Sequence, residues 1–114
     1  MPWTVRLHPD FIPEAKALPE AVQDELAALM LLLADQGPHL KRPHCDTLKG
    51  SKHANMKELR FDAADGVWRV AFAFDPERQA VLLIGGDKSG VSQAKFYKAL
   101  IRKADERYKR WLEE

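Results

Sequence analysis

Apolar and polar residues alternate from residue 3 to residue 8, with Trp3, Val5 and Leu7 set against Thr4, Arg6 and His8, which is the period of a half-buried strand. Pro9 ends this pattern, and Asp10 to Ala17 reads as a short helical turn. From Pro19, a residue suited to the first position of a helix, Val22, Leu26, Leu29, Met30 and Leu33 recur at helical spacing, and Gly37-Pro38 is a stop signal. The spacing therefore predicts a helix running to about Gln36. From Pro38 to about Asn55 the chain is polar, basic and rich in Pro, Gly and His, the composition of a surface connection, with at most a short strand near Thr47 to Lys49.

Period two then returns. In Met56 to Asp62, Leu59 and Phe61 share one face and Glu58 and Arg60 the other; in Val67 to Asp75, Trp68, Val70, Phe72 and Phe74 oppose Arg69, Ala71 and Ala73. Ala63-Ala64-Asp65-Gly66 and Asp75-Pro76-Glu77-Arg78 are turn sequences, so these strands should form an antiparallel meander. Ala80 to Ile84 is apolar on both faces, which places it inside the sheet. Beyond the glycine-rich stretch Gly85 to Gly90, Ser92 can cap a helix in which Phe96, Leu100, Ala104, Tyr108 and Trp111 repeat about every four residues.

A length of 114 residues, 46% hydrophobic and 31% charged, suits one compact domain over residues 1–114 and excludes intrinsic disorder as a description of the whole. The apolar run Ala27 to Ala34 is far shorter than the roughly 20 residues that span a bilayer, and no basic segment leads into an apolar one at the N-terminus. A cytoplasmic, unprocessed protein is expected. One cysteine, Cys45, excludes an internal disulfide and a thiolate zinc cluster. The net charge of +1 hides an asymmetry: residues 41–60 and 92–114 carry +4 and +3, while residues 1–40 and 61–91 carry −4 and −2. Basic groups concentrated in this way can meet phosphate, although a solvated helix face produces the same count.

Several chemistries are excluded by spacing. Gly85, Gly86 and Gly90 match neither phosphate-loop pattern, and His8, His39, His44 and His53 lack a helical ligand spacing, so neither cofactor nor metal is expected. Cys45 beside His44 reads as an incidental or buried thiol. What remains is Arg60 and Arg69 on one sheet face, with Lys49, Lys52 and His53 just upstream. Ala71 and Ala73 share that face, and their small side chains suggest a shallow groove. Either this is a phosphate clamp, in which guanidinium groups hold non-bridging oxygens, or Arg60 simply pairs with Glu58 on a solvated face.

Leu48-Lys49-Gly50, Met56-Lys57-Glu58-Leu59-Arg60-Phe61, Trp68 to Asp75 and Ala80 to Lys88 together resemble the RelE/ParE superfamily of bacterial toxins, specifically its phage-related HigB-like branch. The likeness covers almost the whole chain. It implies an α+β fold of order β-α-α-β-β-β-α, with an antiparallel meander packed against helices. It also implies a metal-independent mRNA endoribonuclease, often acting on translated messages in the ribosome, neutralised by an antitoxin usually of the helix-turn-helix type. Residue by residue, Arg60 and Arg69 match the branch's strand arginines, and Lys88 matches the basic position after its last strand. Lys49, Lys52 and His53 fall where further RNA-binding groups are placed, and Tyr97 corresponds to an aromatic that stacks on a base. One departure is Asp87-Lys88-Ser89-Gly90, where the branch often carries a lysine pair. The superfamily also holds ParE-like toxins that inhibit DNA gyrase by protein binding, and an inactive regulatory relative is a third possibility.

Overall fold

The computed structural model describes residues 2–114. Strand β1 (Thr4–Leu7) leads into helices α1 (Phe11–Lys16) and α2 (Glu20–Gln36), and a short 3-10 turn covers Gly37–His39. Strands β2 (Cys45–Thr47), β3 (Met56–Ala63), β4 (Gly66–Phe74) and β5 (Gln79–Asp87) follow, and helix α3 (Gln93–Glu113) ends the chain. They form one five-stranded sheet in the order β1-β5-β4-β3-β2. The meander β3-β4-β5 is antiparallel as expected, and β1 closes the far side by pairing in parallel with β5.

Local sequence explains the boundaries. Ser92 Oγ accepts from Lys95 N at 3.3 Å and so caps α3. Gly37 stops α2 for two reasons: its φ is +54°, and a Cβ there would lie 2.4 Å from the Trp3 indole. Asp75 Oδ1 accepts from the backbone N of Glu77 and of Gln79, both at 2.9 Å, which fixes the β4–β5 turn. Among the described residues no helix is long and apolar enough to cross a membrane.

Both faces of the sheet are covered. Phe11, Leu26, Leu29 and Leu33 of α1 and α2 pack on Leu59, Val70, Phe72 and Leu82. Leu100, Ala104 and Tyr108 of α3 pack on Met56, Ala71, Ala73, Val81 and Leu83.

Three expectations are corrected. Ala71 and Ala73 are wholly buried rather than the floor of a groove; their small side chains let α3 lie close against the sheet. β5 continues through Gly85-Gly86 to Asp87, paired with Val70, Arg69 and Trp68 of β4. A Cβ would lie 3.3 Å from Val70 at Gly85 and 3.0 Å from Phe96 at Gly86, so the glycines there accommodate close packing rather than a loop. The short strand in the basic connection falls at Cys45–Thr47, slightly earlier than expected, with Cys45 opposite Leu59 and completely enclosed.

Candidate phosphate-binding site

Register does the first part of the assembly. Arg60 of β3 stands directly opposite Arg69 of β4, while Glu58, two residues earlier on the same face, stands opposite Ala71. The strand period thus gathers two guanidinium groups and one carboxylate on the face turned toward α3. Arg60 Nη1 donates to Glu58 Oε2 at 2.8 Å. On the other carboxylate oxygen, Oε1 accepts from the Tyr97 hydroxyl at 2.8 Å, and Arg69 Nε lies 3.7 Å away. Tyr97 Oη in turn accepts from Arg69 Nε at 3.2 Å, and Arg69 Nη1 donates to the Trp68 carbonyl at 2.8 Å.

Lys88 joins the group from the end of β5. Asp87 Oδ1 accepts from Val67 N and Ser89 N, both at 2.9 Å, and from Ser89 Oγ at 2.6 Å. Lys88 N donates to the Val67 carbonyl at 2.8 Å. These bonds tie the loop to the start of β4 and send the lysine toward α3, with its Nζ 5.9 Å from the centre of the Tyr97 ring. The acid beside the lysine is therefore a loop fastener; the Ser89 hydroxyl and backbone hold its carboxyl below the usual carboxylate range.

The electrostatics follow from the count of charges. One carboxylate, Glu58, faces three cations, Arg60, Arg69 and Lys88, so the cluster carries surplus positive charge. Burial and the nearby Arg69 and Arg60 push the Lys88 ammonium below the ordinary lysine range. Burial and its hydrogen bond to Glu58 push the Tyr97 phenol up. An anion placed here would meet fixed donors, which is what a phosphate clamp needs. Beside the cluster runs an open groove of about 600 Å³, lined by Leu29 and Leu32 of α2, Pro43, His44 and Phe61 and reached by both arginines.

The fold brings Arg60, Arg69, Lys88 and Tyr97 together and leaves Lys52 and His53 elsewhere. Their loop lies along α3: Lys52 N donates to Asp105 Oδ2 at 3.0 Å, and the His53 ring meets Tyr108 edge-on at 4.8 Å. From Tyr97 to Tyr108 the helix rises about 16 Å at about 1.5 Å per residue. Lys49 is exposed where this loop begins. Arg69 is only 6% exposed, which corrects the expectation of a solvent-facing arginine; α3 lies over it through Tyr97. Glu58 is the residue that strand periodicity undervalued. Its signal was present in the sequence, since a carboxylate two positions before Arg60 sits diagonal to Arg69 once the strands pair.

Among the described residues no group of three or more His, Cys, Asp or Glu side chains could hold a metal ion. Burial pushes the Cys45 thiol up to about 11, so it is not a ready nucleophile.

Residues 13–109 match the family described as phage-derived Gp49-like protein. Two Mycobacterium tuberculosis proteins whose names mark them as candidate toxins are similar. HigB3 is 48% identical over 81 residues, covering 71% of this chain and 68% of that one. HigB2 is 43% identical over 82 residues, covering 71% of this chain and 40% of that one. Among solved structures, a doubly substituted E. coli toxin RelE in the free state superposes with a TM-score of 0.65 at 12% identity, covering 90% of this chain and 97% of that one. The RelE of an archaeal RelE-RelB complex from Pyrococcus horikoshii gives 0.57 at 16% identity, covering 80% and 100%. At these identities the superpositions establish a RelE-like α+β fold.

Proposed function

We propose, from the premise that this chain belongs to the phage-derived Gp49-like family, that it is the toxin of a type II toxin–antitoxin pair and a metal-independent endoribonuclease acting on translated messages. The HigB relatives and the RelE fold support the toxin role, and the RelE-RelB neighbour supports an antitoxin partner. The observation that carries the ribonuclease reading is the convergence of Arg60, Arg69 and Lys88 around a single carboxylate with Tyr97 beside them.

The chemistry draws on these groups and on solvent water as the proton acceptor. The ribose 2′-oxygen attacks the adjacent phosphorus in line, the bond to the 5′-oxygen breaks, and a 2′,3′-cyclic phosphate and a 5′-hydroxyl result. One proton passes from the 2′-hydroxyl to solvent water and one is delivered to the departing 5′-oxygen. Arg60 and Arg69 neutralise the charge that builds on the non-bridging oxygens. Lys88, with its ammonium destabilised by burial and by the arginines, is the group suited to deliver the proton to the leaving oxygen. The Tyr97 ring offers a stacking surface for a base, and exposed Lys49, with Lys52 and His53 farther along α3, extends the contact with the RNA backbone. The reading places the protein in the cytoplasm, where messages are translated, as one domain over residues 1–114.

Primer extension on RNA from cells after induced expression tests this directly. Discrete cleavage within translated messages is expected, and purification from the native operon should yield a complex with a small antitoxin, of helix-turn-helix type on this reading. Intact RNA accompanied by DNA damage signalling would instead point to gyrase inhibition, and no effect on growth to an inactive regulatory relative.

A further inference from the structure

Glu58 has no chemical step in the ribonuclease reading, yet its carboxylate is only 4% exposed, a placement that is costly unless every interaction of the charge is used. They are used in an uneven way. Its two oxygens grip Arg60 Nη1 and the Tyr97 hydroxyl, and that hydroxyl accepts from Arg69 Nε. Each guanidinium is therefore held along one side. Among the described residues Arg60 Nε and Nη2 and Arg69 Nη2 have no protein acceptor, and none of the three is a buried, unsatisfied atom. The free donors of both arginines thus reach solvent. Without the carboxylate, two guanidinium groups at directly opposed strand positions would repel and swing apart.

We infer that Glu58 is the positioning residue of this site: acting through Arg60, Arg69 and Tyr97, it fixes both guanidinium groups so that their free N–H donors converge on one phosphate. The inference rests on the ribonuclease reading for its kinetic arm and on phosphate binding alone for its second arm. It predicts opposite changes in the two kinetic constants. Glu58→Gln removes a negative charge from a site that binds an anion, so attraction for the phosphate grows and KM falls. The guanidinium groups meanwhile lose their fixed geometry, so kcat falls by about 10- to 100-fold, in line with the cost of misplacing catalytic groups by about 1 Å. Partial unfolding alone would lower apparent kcat and leave KM unchanged, and loss of a direct substrate contact would raise KM.

The experiment uses the purified full chain with a short message, supplied both free and on translating ribosomes, and, separately, inorganic phosphate followed through the arginine Nε–H resonances. For Glu58→Gln the expected result is lower kcat together with lower KM. Glu58→Asp, which keeps the charge and withdraws it by one methylene, should lower kcat at unchanged KM even when the rate is expressed per folded molecule. The folded fraction, measured by circular dichroism at the assay temperature, separates this outcome from partial unfolding. In the wild type the Arg60 and Arg69 resonances should respond to phosphate as one event; in Glu58→Gln they should lose their dispersion and respond separately. Unchanged kcat in both variants, or a raised KM in Glu58→Gln, overturns the inference. If the wild type cleaves no RNA, the ribonuclease reading fails and the phosphate arm decides alone: identical titrations in wild type and Glu58→Gln overturn the positioning role. Should Glu58→Gln not fold, Tyr97→Phe keeps the ring and removes only the bridging hydroxyl. A fall in its kcat per folded molecule is expected when cleavage is measured well below its melting temperature, and wild-type kcat there overturns the inference.

Discussion

Two charged clusters, each built around one buried arginine, Arg69 or Arg107, lie on this molecule, and they balance their charges differently. Near the start of α1, Arg107 of α3 donates through Nη1 and Nη2 to both oxygens of Glu14 and through Nη1 to the Leu83 carbonyl, while the neighbouring Arg110 pairs with Asp10. Each arginine there has its own carboxylate. At the other cluster Arg60, Arg69 and Lys88 share Glu58, and among the described residues three guanidinium nitrogens have no protein acceptor. Burial and ion pairing are common to both, so neither marks a functional site. The excess of cations over anions does, because unmatched buried charge destabilises a fold unless a ligand is to supply the balance.

The strongest way to break this comparison is to remove one arginine from each side. Arg69→Ala should lower RNA cleavage by about 10²-fold or more per folded molecule. Because the residue is buried and bonded to Tyr97 and Trp68, it should also lose about 1–3 kcal/mol of stability. Arg107→Ala should cost a similar amount of stability, since it leaves the Leu83 carbonyl without its side-chain donor, and should leave cleavage per folded molecule unchanged. Melting temperature and single-turnover cleavage measured on the same preparations separate the two. Equal losses of specific activity in both variants would mean that charge balance carries no functional information here.

A smaller effect is expected at Arg60, whose side chain is 19% exposed and, among the described residues, bonded only to Glu58. Arg60→Ala should lower cleavage by about 10-fold or more, as for loss of one transition-state donor, with a smaller fall in melting temperature than Arg69→Ala shows. If Arg60→Ala melts lower than Arg69→Ala, the order of burial has been misjudged.

Lys88 sharpens the contrast through a change of sign. Its folded pKa is depressed by burial and by two arginines, so while it is protonated in both states folding carries a penalty, and that penalty disappears as pH rises through the folded value toward the unfolded one. Lys88→Met keeps the aliphatic stem and removes the charge. It should raise stability by under about 1 kcal/mol while reducing cleavage, and Lys88→Arg should not restore cleavage because an arginine does not release its proton. In the wild type the alkaline limb of the cleavage profile should fall below the ordinary lysine range, and Lys88→Met should lose that limb.

The smallest expected effect belongs to the balanced cluster. The hydrogen bonds from Arg107 hold the Glu14 carboxyl below the ordinary glutamate range. The stability this contributes is complete above the unfolded pKa and is lost as pH falls through the folded value. Arg107→Ala should therefore flatten the acid side of the stability profile, visible in urea midpoints taken from about pH 6 to about pH 3. An unchanged acid slope would show that Glu14 and Arg107 are not coupled in solution.

Much of this was determined along the chain itself. Period-two alternation in Met56 to Phe74, helical spacing from Val22 to Leu33 and from Phe96 to Trp111, and the Gly37-Pro38 and Ser92 signals are local, because strand pleat and helix pitch act on neighbouring residues. Arg60 and Arg69 were legible as candidates for the same reason. What α3 covers was not legible, since a residue's burial depends on which distant element packs over it. Ala71 and Ala73 read as an open groove and Arg69 as exposed, and both lie beneath α3. Only the tertiary structure decided that Tyr97, thirty-nine residues from Glu58, would bridge the carboxylate to Arg69, that Lys88 would close the cluster, and that Lys52 and His53 would lie farther along the helix. Those outcomes depend on strand register and helix docking, which are set by the sum of contacts across the whole core and by no short stretch of sequence.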